Sequence, residues 1–312
     1  MEFSDLNTLG KERKPFLFIS DFRAKKLEVI LLDELEKEDI EFCIDENYHY
    51  AKHSHFLKTT PIDFKDYEAK FNRVIQKIEA GETYILNLTQ ESKIDTELTL
   101  KEIYSLANAH YKLRFKDEFV CFSPEKFIQV NENRIHTYPM KGTIDASLKD
   151  AKKIILNDKK EMAEHVMVVD LLRNDLSIVA SDVKVEEFRY LTEIEAGDKK
   201  LLQVSSHISG DVGSDWHERV GTILESLLPA GSISGAPKKS TVEIIEDVEG
   251  YERGYFSGVF GIYDGEKLDS GVMIRFIQNS SIGYSYKSGG GITLDSEVKL
   301  EYNELQDKIY LP

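Results

Sequence analysis

Short apolar runs separated by charged turns are what most restricts this chain. "PFLFISDF", "LEVILL" and "IEFCID" follow one another within residues 15–45, each the length of a strand. Similar runs recur in "TYILNLTQES", in "EFVCFSPEKFIQV" and "RIHTYPM" around the turn "NEN", over about 183–212, and over 255–292. Helical spacing lies between these clusters. Phe64, Tyr67, Phe71, Val74, Ile75 and Ile78 mark one helix over 63–80, closed by Gly81. Thr99 and Glu102 stand in capping-box spacing at the head of a second. Further helices are predicted over about 148–178, in "DWHERVGTILESLLP", in "APKKSTVEIIEDVEG" and over 296–310. Strand clusters interrupted by helices predict an α+β chain, with helices packed on mainly antiparallel sheets. No repeat, low-complexity tract or linker divides it. Residues 1–62 read as a short strand-rich segment joined to the same fold as 63–312.

The net charge of −16 argues against nucleic acid or an anionic membrane as a partner. An anionic substrate would then need cations local to its site. No apolar run reaches the ~20 residues of a membrane span. The start, "MEFSDLNTLGKERK", lacks a signal-peptide pattern. Cys43 and Cys121 sit in apolar runs and read as buried thiols of a reducing compartment, so a cytoplasmic location is expected.

Several stretches carry chemistry. In "EMAEHVMVVDLLRND", Glu161 and Glu164 share a helix face that continues into Val168 and Leu171. Carboxylates heading an apolar face need partners, either a salt bridge at the helix start or a divalent cation. "EYNELQDK" repeats the spacing with Glu301 and Glu304, but Glu297 and Lys308 make that face polar, as a solvated helix would be. Two such pairs on different helices could also meet at one Mg²⁺. "LPAGSISGAPKKS" and "KSGGGITLDS" read as small-residue loops running into helices. Glycine there lets backbone approach a ligand, although ordinary turns would look the same. Glu125 in "SPEKF" and Lys141 in "HTYPMKGT" lie on neighbouring strands if "NEN" makes a hairpin. They are then a cross-strand ion pair, or a general acid with a nucleophile. His207 sits mid-strand, where histidine is commonly structural. Arg275 interrupts an apolar strand and calls for an anion.

Taken in order, "GETYILNLTQ", "SPEKF", "TYPMKGT", "EHVMVVDLLRND", "LLPAGSISGAPKKSTVEII", "RGYFSGVFGIY", "IRF", "GGGITLDS" and "EYNELQDK" resemble the chorismate-utilising enzyme family from about residue 64 to the end. The resemblance implies an α+β fold of two large antiparallel sheets packed together with helices outside. It implies chorismate, a dianion, as substrate and Mg²⁺ as cofactor. Glu164 and Glu304 would bind the metal directly, and Glu161 and Glu301 through waters. Arg275, Lys308 and the backbone N–H groups of Gly290 and Gly291 would hold the carboxylates and enolpyruvyl arm, with Ser232 and Ala236 along the ring.

The branch can be read as well. Isochorismate and salicylate synthases carry a water-activating lysine where this chain has Ile85. Anthranilate synthases usually have a small residue where it has Lys141. Thr137, Pro139, Lys141, Gly142 and Thr143 match the T-x-P-I-K-G-T motif of the aminodeoxychorismate synthase component I branch, with Met140 for Ile. By that resemblance Lys141 is a nucleophile whose amine is made neutral by desolvation and Mg²⁺, Glu125 protonates the leaving hydroxyl, and His207 handles a proton of ammonia. Ile85, Phe256 and the run Ser209–Gly210–Asp211 depart from the branch. Neither cysteine sits in a glutaminase-like turn, so ammonia is expected from a separate glutamine amidotransferase subunit, and pyruvate removal from a separate lyase. The short segment before residue 81 is expected to lack a tryptophan pocket. The rival readings are anthranilate synthase component I and a catalytically silent chorismate-fold protein.

Overall fold

The computed structural model describes residues 1–44, 55–196, 199–281 and 283–312; Asp45, residues 197–198 and Ile282, which fall within the strand readings, lie outside these. The chain opens with α1 (Phe3–Lys11), β1 (Phe16–Ser20), β2 (Leu27–Leu31), β3 (Ile40–Ile44) and β4 (Lys58–Thr60). Then come α2 (Phe64–Glu79), β5 (Ile85–Asp95), α3 (Leu100–Leu106), β6 (Tyr111–Phe115), β7 (Phe119–Ser123), β8 (Lys126–Asn131), β9 (Arg134–Thr137) and β10 (Met140–Asp145). The middle holds α4 (Ala151–Asn157), α5 (Lys159–Val179), β11 (Ser181–Ala196), β12 (Lys199–Asp211) and α6 (Val220–Leu227). The last part is β13 (Gly235–Ala236), α7 (Lys238–Glu249), β14 (Val259–Tyr263), β15 (Leu268–Val272), β16 (Phe276–Ser280), β17 (Gly283–Ile292) and α8 (Val298–Asp307).

Local chemistry sets several boundaries. Asp63 caps α2 by accepting from Lys65 N at 2.8 Å, and Tyr67, Phe71 and Val74 form its buried stripe. Thr99 and Glu102 make the capping box of α3. The single helix expected over 148–178 is two. Asp158 leaves helical geometry and accepts from Glu161 N at 2.9 Å, starting α5 afresh. The sequence reading missed α1, which is held by a reciprocal Glu2–Asp5 cap and buries Phe3 and Leu6.

Among the described residues the strands form two antiparallel sheets. One runs β10-β12-β9-β8-β15-β14-β1-β2 with β11 on β12; the other runs β13-β5-β17-β16-β7-β6-β3 with β4 on β5. Strand alternation sorts the core. On β1, Leu17 and Ile19 face the second sheet, packing with Tyr111, Leu113, Phe119 and Cys121. Phe16 and Phe18 point the other way, into a cluster with Leu6, Trp216, Ile223 and Leu224 beneath the helices. On β7, Val120 and Phe122 turn outward to Leu100 and Ile103 of α3.

The expected single run "EFVCFSPEKFIQV" is two strands in different sheets. After Ser123 the chain leaves β7 in one sheet and enters β8 in the other. β15 and β16 cross over beside it, so two paired strands change sheets together. Phe122 N donates to Arg275 O at 3.2 Å and Val272 N to Glu125 O at 3.0 Å, tying the two crossings. Close to this corner, Gly271 leaves room for the Tyr111 ring, because a Cβ there would stand 2.3 Å from its Cγ. Gly271→Ala is expected to cost ~1–3 kcal/mol through overpacking, read as a lowered Tm in a thermal melt.

Candidate active site

A cavity of about 200 Å³ opens at this corner, walled by β5, β17, the strand crossings, α5 and α8. The crossings contribute Glu125 and Arg275. Arg275 takes a left-handed backbone, φ 52°, as does the neighbouring wall residue Ser257, φ 64°. Non-glycine residues there store strain that concentrates at functional sites. Arg275 is steadied by Tyr310, whose hydroxyl accepts from its Nε at 3.3 Å. Ser232, on the 3₁₀ turn Gly231–Ile233, donates to the Glu125 carboxyl. Burial pushes the Glu125 pKa up, against the Ser232 hydrogen bond and the charges of Arg275 and Lys308.

Lys141 enters by a different device. β8 and β9 do form the expected hairpin, with Gln129 opposite His136. Lys141, however, lies beyond Pro139 on β10, which pairs with β12 and not with β8. Its stretch is a bulge in that strand. Met140 pairs with Ser205 and Thr143 with Gln203, so one extra residue is accommodated at Lys141–Gly142, and Gly142 takes φ 94°. A bulge re-aims a side chain out of the ladder. The cross-strand ion pair with Glu125 does not form; Lys141 Nζ lies 2.8 Å from Glu164 on α5. Burial lowers the Lys141 pKa, but the Glu164 charge and hydrogen bond, with Glu304 and Glu161, outweigh it and leave it raised. Desolvation thus acts in the expected direction, but the carboxylates outweigh it, and it does not by itself make this amine neutral.

Helix periodicity delivers the carboxylates. Glu161, Glu164, Val168, Leu172 and Asp175 follow one face of α5, and the last three line the cavity. On α8, Glu301 is 9% exposed while Glu297 and Glu304 stay exposed, so the face that the sequence read as solvated is buried only at Glu301. Its carboxyl accepts from Ser296 Oγ at 2.8 Å, and Lys308 donates to Glu304 at 2.7 Å and to Gly289 O at 2.7 Å. Burial raises Glu161 and Glu301, with a carboxylate neighbour adding to each. For Glu304 burial also raises, but Lys308 and Lys141 prevail and lower it.

Two features fit this set to a divalent cation. Glu161 Oε2 is buried without a hydrogen-bond partner, and the donors are hard carboxylate oxygens. A Cβ on Gly142 would stand 2.9 Å from that oxygen, and one on Gly290 would stand 3.3 Å from Glu301 Oε2, so both glycines give the carboxylates room. Among the described residues, no three such side chains are gathered closely enough to chelate an ion as they stand. Lysines occupy Glu164 and Glu304 instead.

"KSGGGITLDS" is not a loop. Residues 288–292 belong to β17 and pair with β5, Gly290 opposite Leu88 and Gly291 opposite Asn87. Both glycines still line the cavity. Five expected residues do not: Glu161, Glu164 and Glu301, which lie behind wall residues Lys141 and Gly290, and Ala236 and His207. Ala236 lies on β13, opposite Ile85, with its carbonyl accepting from Tyr84 N at 2.7 Å. His207 stacks on Tyr138 at 4.7 Å and lies 3.0 Å from His136 Nδ1; Tyr138 rather than His207 meets the cavity. Wall residues missed from sequence include Asn87 and Thr89, which alternate with core Leu86 and Leu88 on β5 and were legible as its polar face. Lys287 was also missed. It is 3% exposed, donates to Arg253 O at 3.0 Å, and burial pulls its pKa down to about 8.

Residues 17–311 match the model of the chorismate binding enzyme family. The chain belongs to that family. This chorismate binding enzyme is 44% identical to an uncharacterised PabA-like protein of Haemophilus influenzae, over 98% of this chain and 94% of that protein. It is 30% identical to aminodeoxychorismate synthase component 1 of Salmonella typhimurium, over 78% of this chain and 56% of that protein. It is also 30% identical to anthranilate synthase component 1 of Archaeoglobus fulgidus, over 77% of this chain and 60% of that protein. Among solved structures, the menaquinone-specific isochorismate synthase of Escherichia coli shares the fold with a TM-score of 0.74 at 15% identity, over 97% of this chain and 79% of that one. Anthranilate synthase component I of Streptococcus pneumoniae gives 0.69 at 25% identity, over 83% and 60%. The two packed antiparallel sheets with outer helices are thus those of chorismate-utilising enzymes. Overall identity does not separate the two synthase names, so the choice between them falls to the cavity. Among the described residues no helix is long and apolar enough to cross a membrane.

Proposed function

We propose that this chain is an aminodeoxychorismate synthase component I, converting chorismate and ammonia to 4-amino-4-deoxychorismate. The observation that carries the reading is the pairing of roles in one cavity. Lys141 is bulged into the wall, and Glu125, pushed toward its protonated form by burial, shares that wall. Having given up its ammonium proton to water, the Lys141 nitrogen bonds to ring C2, the diene shifts, and the C4–O bond breaks as Glu125 gives the departing hydroxyl a proton, making water. Ammonia then bonds to C4, the diene shifts back, and the C2–N bond breaks to return Lys141. The proton lost by the new ammonium restores Glu125. Arg275 and Lys308 supply the local cations that a dianion requires in so acidic a chain. Glu161, Glu164, Glu301 and Glu304 would hold Mg²⁺, which when bound anchors a substrate carboxylate by charge.

Two further points support the branch. Ile85 lines the cavity where the water-using branches place a lysine, and it offers no base to activate water. Cys121 is fully buried with its thiol pushed well up by desolvation, unlike a glutaminase nucleophile. Ammonia would accordingly come from a separate glutamine amidotransferase subunit, and the pathway would lead to 4-aminobenzoate and folate in the cytoplasm. The test is incubation with chorismate, MgCl₂ and ammonium chloride, with products resolved by mass and ultraviolet spectrum. Aminodeoxychorismate is expected. Anthranilate, isochorismate or unchanged chorismate as the sole outcome would overturn the reading.

A further inference from the structure

We infer that Lys141 and a divalent cation compete for Glu164, so that placing metal on the carboxylates releases the Lys141 amine into the cavity. The inference rests on the metal reading proposed above. The ion pairs at the two glutamate pairs are symmetric. Glu164 carries Lys141 at 2.8 Å, and Glu304 carries Lys308 at 2.7 Å. A divalent cation would therefore take the place of two single positive charges.

The two lysines are not held alike. Lys308 also donates to Gly289 O at 2.7 Å and sits one helical turn from Glu304. Lys141 has no second hydrogen-bond acceptor for its ammonium among the described residues, and it rides on the bulge of β10. Of the two, Lys141 is the one free to leave. The carboxylate side has a complementary deficit. Glu164 is 6% exposed, its other cationic neighbour Lys160 is 3.9 Å away, and Glu161 Oε2 is buried with no partner. One ammonium on Glu164 leaves that oxygen unsatisfied, whereas a doubly charged ion between the two glutamates could serve both.

Direct Mg²⁺ coordination needs a carboxylate oxygen at ~2.0–2.1 Å. An ammonium on the same oxygen repels the incoming charge and blocks its approach, so metal and lysine exclude each other there. The coupling is reciprocal: removing the lysine tightens the metal, and adding the metal frees the lysine. The nucleophile is thereby masked until the carboxylates that serve the substrate are loaded.

The test titrates metal-stripped protein with Mn²⁺, following free ion by electron paramagnetic resonance, with Mg²⁺ as competitor. Lys141→Met is expected to bind Mn²⁺ at least ~10-fold tighter than wild type, within the usual range of site-to-site coupling. Lys141→Arg, which keeps the charge, should stay near wild type. Glu304→Gln tests the metal site apart from the exchange. If it binds Mn²⁺ as wild type does, or if no variant binds, the metal reading fails and the exchange fails with it. If Glu304→Gln weakens binding but Lys141→Met binds no tighter than wild type, the exchange alone is overturned. A second measurement needs no variant. Acylation of wild type by acetic anhydride, mapped by peptide mass, should label Lys141 several-fold more with Mg²⁺ present, against exposed Lys153 as reference. Unchanged or lower Lys141 labelling, with metal binding established, also overturns the exchange.

Discussion

Lys141→Ala is expected to lower aminodeoxychorismate formation by at least ~10²-fold, a conservative loss for a positioned catalytic group. The reason lies in how the side chain is held. Pro139 fixes its own backbone, Ser206 N donates to Pro139 O at 3.0 Å, and the bulge then turns the next residues out of the ladder. A nucleophile that must meet one ring carbon gains most from such confinement. Alanine keeps the bulge, since Gly142 supplies the left-handed step, and it leaves Arg275 and Lys308 in place. Substrate should still bind, and circular dichroism should be unchanged. Residual ammonia addition should shift toward C2, because a small residue here resembles the anthranilate branch. In wild type under turnover, intact-protein mass should show a substrate adduct that peptide mapping assigns to Lys141. A variant that makes aminodeoxychorismate at the wild-type rate would make the lysine structural and the covalent route wrong.

Much of this site was legible because helix periodicity is local. Glu161 and Glu164 declare a shared face three residues apart, and the apolar continuation at Val168 points that face inward. The α8 pair was harder. Its face is polar throughout, and only tertiary packing buries Glu301. What a strand pattern cannot show is which sheet a strand joins. "EFVCFSPEKFIQV" reads as one apolar run, yet the crossing at Ser123–Glu125 is what puts Glu125 beside Arg275. Gly289–Gly291 read as a loop because glycine is a poor strand former, but pairing with the long β5 overrides that preference. His207 lies off the cavity for the reverse reason. Its strand was legible, but Tyr138, just past β9, stacks on it and takes the position at the cavity.

Glu125→Gln is expected to lower turnover by ~10²–10⁴-fold and, more tellingly, to remove the alkaline limb of the pH–rate profile. The sign follows from the site. The acid must carry its proton to the leaving hydroxyl, so activity falls as pH rises through the Glu125 pKa. Burial raises that pKa, while the Ser232 hydrogen bond and the charges of Arg275 and Lys308 hold it back. Ser232→Ala removes one restraint and should move the limb to higher pH without abolishing turnover. Stability carries the same signature. A carboxyl whose pKa is raised on folding contributes stability below its unfolded pKa, and that contribution is lost as pH rises through the folded value. Glutamine has no charge to bury, so the Tm of Glu125→Gln should fall less than wild type's across that window. A limb that persists in Glu125→Gln, or one that Ser232→Ala moves to lower pH, would assign the proton donor to another group in the cavity.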